Sequence, residues 1–201
     1  STNPYQLTEA DRTVIGNTTP KFSGGFGLNA TYKGFDMSMF FNFMYDFDVL
    51  NANKIMLTTW ADNKENNFLM DIASDKRWRN FDDMGNEIRY SPEVLAEFNK
   101  NATMWNPTSI GRPICMSYAV EDGSFLRLNS ATLGYTLPSV WTKKVGLSKV
   151  RFYVSGNNLF TLTGYSGYDP EVNIATGLTP NIDYNRYPRS RTYTFGAQLT
   201  F

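Results

Sequence analysis

The sequence predicts an all-β fold: five long antiparallel strands forming a sheet that is apolar on one face, as in the wall of a transmembrane β-barrel. Three observations carry this expectation. Apolar and polar residues alternate with a period of two over five stretches of 12 to 14 residues, at 21–32, 35–46, 124–137, 149–162 and 190–201. Soluble strands usually run ~5–6 residues, whereas tilted membrane-crossing strands need ~9–11. Charge avoids these stretches. Of the 38 charged residues (19 acidic and 19 basic), only Lys21, Asp36, Asp46, Arg127, Lys149, Arg151 and Arg191 fall inside, most of them near a strand end. A charge at the lipid-facing midplane costs ~2–4 kcal/mol, so a membrane strand keeps its middle uncharged.

In chain order, residues 1–20 are expected to end an external loop. Ser1-Thr2-Asn3-Pro4-Tyr5 lacks the charged-then-apolar pattern of a signal peptide and reads as a chain cut in mid-loop, with any export signal outside the supplied sequence. No run approaches the ~18 consecutive apolar residues of a spanning helix. In the first strand, Phe22, Phe26, Leu28, Ala30 and Tyr32 share one face, and Ser23, Gly25, Gly27, Asn29 and Thr31 the other. Lys33-Gly34 predicts a tight hairpin turn. Phe35, Met37, Met39, Phe41, Phe43 and Tyr45 continue the apolar face, while Phe40 and Met44 break the polar one. In the third strand Leu126 and Leu128 have one parity, and Leu133, Tyr135 and Leu137 the other. A bulge near Asn129-Ser130 would reconcile them, since one extra residue flips the facing of all that follows; the simpler alternative is that the first part sits above the membrane, where facing is weakly constrained. From Val150, Phe152, Val154 and Phe160 oppose Arg151, Tyr153, Ser155, Asn157 and Thr161. At the end, Tyr193, Phe195, Ala197, Leu199 and Phe201 alternate with small or polar residues. Tyr32, Tyr45, Tyr135 and Tyr193 near strand ends suit an aromatic girdle.

The connections are unequal. Lys33-Gly34 and 138–148 are short, whereas 47–123 and 163–189 are long and polar, as in barrels with short turns on one side of the membrane and long loops on the other. The 47–123 loop holds 20 of the charged residues and three of the four Trp. Ser91-Pro92-Glu93 predicts a helix start, with Val94, Leu95 and Phe98 as its apolar stripe. A second helix is expected over 48–60.

Equal numbers of acidic and basic groups argue against nucleic-acid binding. With no His and a single Cys, the chain lacks zinc clusters, Ser–His or Cys–His nucleophiles and internal disulfides. No catalytic residue, metal or cofactor is expected. Asp82-Asp83 and Asp169-Pro170-Glu171 lack the converging oxygens of a calcium loop, and turn chemistry accounts for them better. Candidate substrate contacts in the loops are Trp60, Trp78, Trp105, Tyr165 and Tyr168, whose aromatic rings stack on sugars or peptide side chains. The simpler alternative for each Trp is packing inside the loop's own small core. Arg127, Arg151 and Asn157 are candidate lumen-facing residues. For the two arginines, pairing with lumen carboxylates or with residues outside this chain competes with contact to an anionic substrate.

Several blocks, in order, carry a resemblance to a known family: Asp11 to Asn17, Pro20 to Gly25, Tyr32 to Asp36, Glu121 to Leu128, Thr132 to Pro138, Arg151 to Phe160, Gly164 to Glu171, Tyr187-Pro188, and Arg191 to Gly196 with terminal Phe201. Over residues 11–46 and 121–201 the chain resembles the C-terminal end of SusC/RagA-type TonB-dependent outer-membrane transporters. The resemblance implies the last five strands of a ~22-stranded, plugged barrel in the bacterial outer membrane. It also implies import of oligosaccharides or peptides with a SusD-like surface lipoprotein, powered through TonB, and a barrel-assembly signal at Phe201. The plug, the TonB-contacting segment and ~17 strands fall outside the chain. Residues 47–120 match nothing in the family. A different class, a soluble β-sandwich carbohydrate-binding module, also suits the alternation; its apolar faces would pack against each other about 10 Å apart. An outer-membrane enzyme with its site in the long loop is the third reading, weakened by the absence of His and of paired carboxylates.

Overall fold

The computed structural model describes residues 12–59, 67–72, 76–107, 114–172 and 180–201. In chain order the elements are β1 (Phe22–Tyr32), β2 (Phe35–Tyr45), β3 (Asp48–Asn51), α1 (Ala52–Met56), α2 (Pro92–Asn99), β4 (Val120–Asp122), β5 (Phe125–Thr136), α3 (Ser139–Thr142), β6 (Lys149–Thr163), β7 (Ile182–Asp183) and β8 (Thr192–Thr200). The long strands form one antiparallel sheet in the order β1-β2-β5-β6-β8, and the short β4, β3 and β7 form another. Two compact units divide the chain: 1–49, 121–182 and 186–201 in one, 50–120 and 183–185 in the other.

Within the first unit, the β1–β2 turn places both Lys33 (φ 46°) and Gly34 (φ 90°) in the left-handed region. That is the two-residue hairpin geometry whose twist matches the strands. The ladder register then aligns the apolar residues into rows. Tyr32, Phe35, Tyr135, Phe152 and Ala197 form one row beside the turn; Ala30, Met37, Leu133, Val154 and Phe195 form the next.

The parity conflict in β5 resolves as a bulge. The single step Phe40 to Phe41 on β2 faces Ser130 to Leu128 on β5, two steps, and that pair faces Asn157 to Phe160 on β6, three steps. The extra residue on β5, Asn129, returns Leu128 and Leu126 to the face of Ala131, Leu133 and Tyr135. On β6 the irregularity includes Asn158 at φ 53°, a left-handed conformation that Asn tolerates better than most residues.

Much of the apolar face is uncovered among the described residues, although Leu128 and Val150 on it are buried. Phe195 is 80% exposed, Leu199 52% and Phe152 51%. A sandwich would bury these side chains between two sheets, so the soluble β-sandwich reading is overturned. Nor does the sheet close: β1 and β8 are its two edges.

Three further expectations are corrected. The chain after Tyr45 enters β3 before α1, so the helix expected over 48–60 is only Ala52–Met56. Asn51 caps it, its side-chain oxygen accepting from the Lys54 N–H at 3.2 Å. Helix α2 starts at Pro92 after Ser91 as its residues suggest, but Val94 and Phe98 stay exposed and its buried residue is Asn99. Tyr193 does not join a girdle. Because β8 begins part-way along β6, Tyr193 aligns with Gly156, Ala131, Met39 and Leu28 in the middle of the wall.

Candidate functional site

The polar face of the sheet is built from small residues and flattened large ones. Thr31, Asp36, Gly134, Tyr153 and Gly196 form one row across all five strands. Arg151 reaches from β6 over β5 to Asp36 on β2, its Nε donating to Asp36 Oδ1 at 2.9 Å and a guanidinium N–H to Oδ2. This bridge requires glycine beneath it, because a Cβ on Gly134 would collide with the Arg151 guanidinium. Tyr153 lies over Gly196 in the same way, with the Arg151 guanidinium 5.2 Å from its ring centroid. Phe40, which broke the polar pattern, rests over Gly25, where a Cβ would meet its ring at 2.8 Å.

At the end of the sheet remote from the Lys33-Gly34 turn, the polar face is covered by the chain's own loop. Met44 and Phe125 are cross-strand partners there and pack with Phe47, Val49, Tyr165 and Val172. Arg127, only 2% exposed, donates to Asp169 at 2.5 Å and lies 3.6 Å from Glu171, which Arg189 also engages at 2.8 Å. Burial raises the Asp169 carboxyl. The Arg127 hydrogen bond, the Glu171 backbone N–H and the charges of Arg127 and Arg189 outweigh it and hold the group below the ordinary carboxylate value. Asp169 also accepts from the Glu171 N–H at 2.9 Å. The turn chemistry expected at Asp169-Pro170 is therefore present, and the residue is in addition the main partner of Arg127.

The second unit is tied by single side chains to backbone. The Asn99 oxygen accepts from the Arg79 N–H at 2.6 Å, and its amide donates to the carbonyls of Arg79 and Leu95, each at 2.9 Å. Asp82 accepts from the backbone of Met84 and Asn86 and from the Asn86 amide. These bonds, the Asn86 side chain first, keep its carboxyl below the ordinary range. Its neighbour Asp83 pairs instead with Arg79. No group of three or more His, Cys, Asp or Glu among the described residues is placed to hold a metal. A recess of about 650 Å³ is lined by Asp71, Lys76, Asn101, Thr103, Met104 and Tyr118.

The aromatic candidates separate by environment. Trp60 lies outside the described residues. Trp78 is exposed in the second unit. Trp105 is half-buried, its indole N–H donating to the Thr58 carbonyl at 3.3 Å and its ring packed edge-on against Tyr118. Tyr165 is buried in the cluster with Phe47 and Val172, so its expected role as an exposed contact gives way to packing. Tyr168 is 80% exposed. Asn157 lies on the polar face beside the β6 irregularity and is exposed, and Phe201 follows β8 with its side chain exposed. Alternation located Arg151 and Arg127, but not their partners Asp36 and Asp169, which lie 115 and 42 residues away in the chain.

Long paired strands, uncovered apolar side chains on one face and a polar face of bridged charges define a segment of transmembrane β-barrel wall. No family model matches the chain. Over 98% of its length it is 35% identical to TonB-dependent receptor P3 of Formosa agariphila, of which it spans 18%. It is also 38% identical to TonB-dependent receptor SusC of Bacteroides thetaiotaomicron over 88 residues, 42% of this chain and 8% of SusC. The solved RagAB peptide importer in its closed-closed state matches it with a TM-score of 0.73 at 25% identity, over 97% of this chain and 19% of that chain. The chain belongs to the SusC/RagA type of TonB-dependent receptors and spans about a fifth of the length of receptor P3 and of the RagAB chain that it matches.

Proposed function

We propose that the chain supplies barrel wall and substrate-side loops to an outer-membrane importer of oligosaccharides or peptides, and that it performs no covalent chemistry. The apolar rows face lipid and the polar face lines the lumen of a barrel of ~22 strands. The observation that carries this reading is the uncovered apolar face. The 11 residues of β1 span about 33 Å along the strand. At a tilt of about 45° this gives roughly 23 Å, close to the ~25 Å apolar band of outer-membrane barrels.

In this reading loops 1–20, 47–123 and 163–189 lie outside the cell, and Trp78 and Trp105 stand on the substrate side. Arg151 and Asn157 face the lumen. A SusD-like lipoprotein caps the mouth, TonB drives transport through parts of the receptor beyond this chain, and Phe201 marks the strand for barrel assembly. The relatives' names, which include the RagAB peptide importer, support the importer class.

The test is deletion of the whole receptor gene from its own bacterium. Growth should be lost on either an oligosaccharide hydrolysate or a tryptic casein hydrolysate as limiting nutrient, and the purified receptor should carry a surface lipoprotein with it. Unchanged growth on both nutrients would remove the importer reading.

A further inference from the structure

We propose that Tyr168 is a stacking platform for substrate at the mouth of the lumen, and that Arg127 positions it by gripping the adjacent Asp169. This deepens the importer reading and rests on it.

The argument begins with a contrast within one short segment. Tyr165, Asp169, Pro170 and Val172 are all buried, and Pro170 and Val172 are among the most fully enclosed side chains of the chain. Tyr168, between them, is 80% exposed. An exposed aromatic on a loose loop needs no explanation, because single apolar groups are common on surfaces. This loop is held at nearly every residue. The Tyr165 ring is one wall of the cluster with Phe47 and Phe125. Ser166 is fixed by both oxygens of Glu121, its N–H at 3.0 Å and its hydroxyl at 2.9 Å. Gly167 passes so close over the Tyr165 ring that a Cβ would collide with it. Asp169 is locked to Arg127. Tyr168, the large side chain of this segment left exposed among the described residues, therefore stands on backbone fixed by these contacts, the arrangement in which an aromatic contact loses least entropy on binding.

Its position narrows the ligand. Arg127 pairs across the strands with Asn42 and Thr161 on the polar face, and Phe125 with Met44 and Thr163. The segment thus folds over the lumen side of the wall, at the end away from the Lys33-Gly34 turn. The matching ligand chemistry is a flat C–H or π face, which a sugar ring in an oligosaccharide or an apolar side chain in a peptide can present.

The experiment uses the full receptor, restored to the deletion strain, with the rate of nutrient uptake measured against concentration of the oligosaccharide hydrolysate and, separately, of the casein hydrolysate. Tyr168→Ala should raise the half-saturating concentration about ten-fold, the value of a lost aromatic contact of about 1.4 kcal/mol, with the amount of receptor in the membrane unchanged. The arm that shows the shift identifies the source of the flat face. Tyr168→Phe keeps the ring and should stay within about three-fold of wild type by the same reasoning. Asp169→Asn should raise half-saturation on its own yet add nothing to Tyr168→Ala, since a positioning residue has no effect once the group it positions is gone. If Tyr168→Ala saturates as wild type does while gene deletion still abolishes uptake, the importer reading stands and the platform is refuted. Additive effects of Asp169→Asn and Tyr168→Ala would refute the positioning role of Arg127 and Asp169. If gene deletion changes neither arm, both readings fall together.

Discussion

The wall and the long loop of residues 50–120 achieve order by opposite means. In the wall, one rule repeats: backbone groups pair along a ladder, and every second side chain goes to the same face. Few individual side chains decide the outcome, and each strand restates the pattern of its neighbour. The loop has no period. It depends on unrepeated bonds from one side chain to a distant backbone, such as Asn99 to Arg79 or Trp105 to Thr58. A periodic structure tolerates change at many positions but punishes a wrong facing, whereas a structure of unrepeated bonds is sensitive at a few points and indifferent elsewhere.

Adjacent residues on β2 offer the sharpest way to break this comparison. Met39 lies on the apolar face in the middle rows and Ser38 on the polar face. Met39→Arg should destabilise the full receptor by about 2–4 kcal/mol in urea unfolding from lipid vesicles. Ser38→Arg, one residue away, should stay within about 0.5 kcal/mol. Equal effects at the two positions would remove the lipid–lumen assignment of the faces.

Within the loop, the contrast lies between Asn99 and Ser91, at opposite ends of α2. Asn99→Ala removes three bonds to part-buried backbone groups of Arg79 and Leu95 and should cost about 1–3 kcal/mol of local stability. Faster amide exchange in α2 and around Arg79 would register it. Ser91 occupies the cap position but makes no side-chain cap bond, so Ser91→Ala should fall below the ~0.5 kcal/mol expected of even a weak N-cap.

The smallest effect joins the wall to its own loop. Asp169 is held below its ordinary value, so its contribution is complete above the unfolded carboxylate value of about 3.9 and fades as pH falls through the lower folded value. Amide exchange of 165–172, corrected for intrinsic rate, should be flat between pH 7 and 5 and accelerate only below about pH 4. Loosening already at pH 6 would show that the Arg127–Asp169 contact does not hold the segment.

These contrasts also explain what could be read in advance. Alternation located all five wall strands, and the parity change between Leu128 and Leu133 revealed the bulge, because facing errors leave a visible trace in a period-two pattern. Arg127 and Arg151 stood out as charges inside apolar stretches. Their pairing with Asp36 and Asp169 did not, since those carboxylates become neighbours only through strand pairing and loop return. Tyr165 and Tyr168 look alike in sequence, three residues apart in a Gly-Tyr-Ser-Gly-Tyr run. One is buried and the other exposed because of the cluster that Phe47 and Phe125 form beneath the loop. Short β3 was hidden by a helical reading of the residues after Tyr45, where four residues are too few to display a period.

The irregularity at Asn129 makes residue number itself a constraint on heredity. Removing that one residue would abolish the bulge and leave Leu126 and Leu128 in phase with Ala131 and Leu133, whereas one residue gained or lost elsewhere between Arg127 and Tyr135 would turn the strand over and swing Arg127 toward hydrocarbon, away from Asp169. A codon-sized change of that kind would do more damage than most point substitutions, while gains and losses of whole codons in the long loop leave strand phase untouched. Length variation among descendants of this sequence is therefore expected to collect in the loops and to spare the stretch from Phe125 to Thr136.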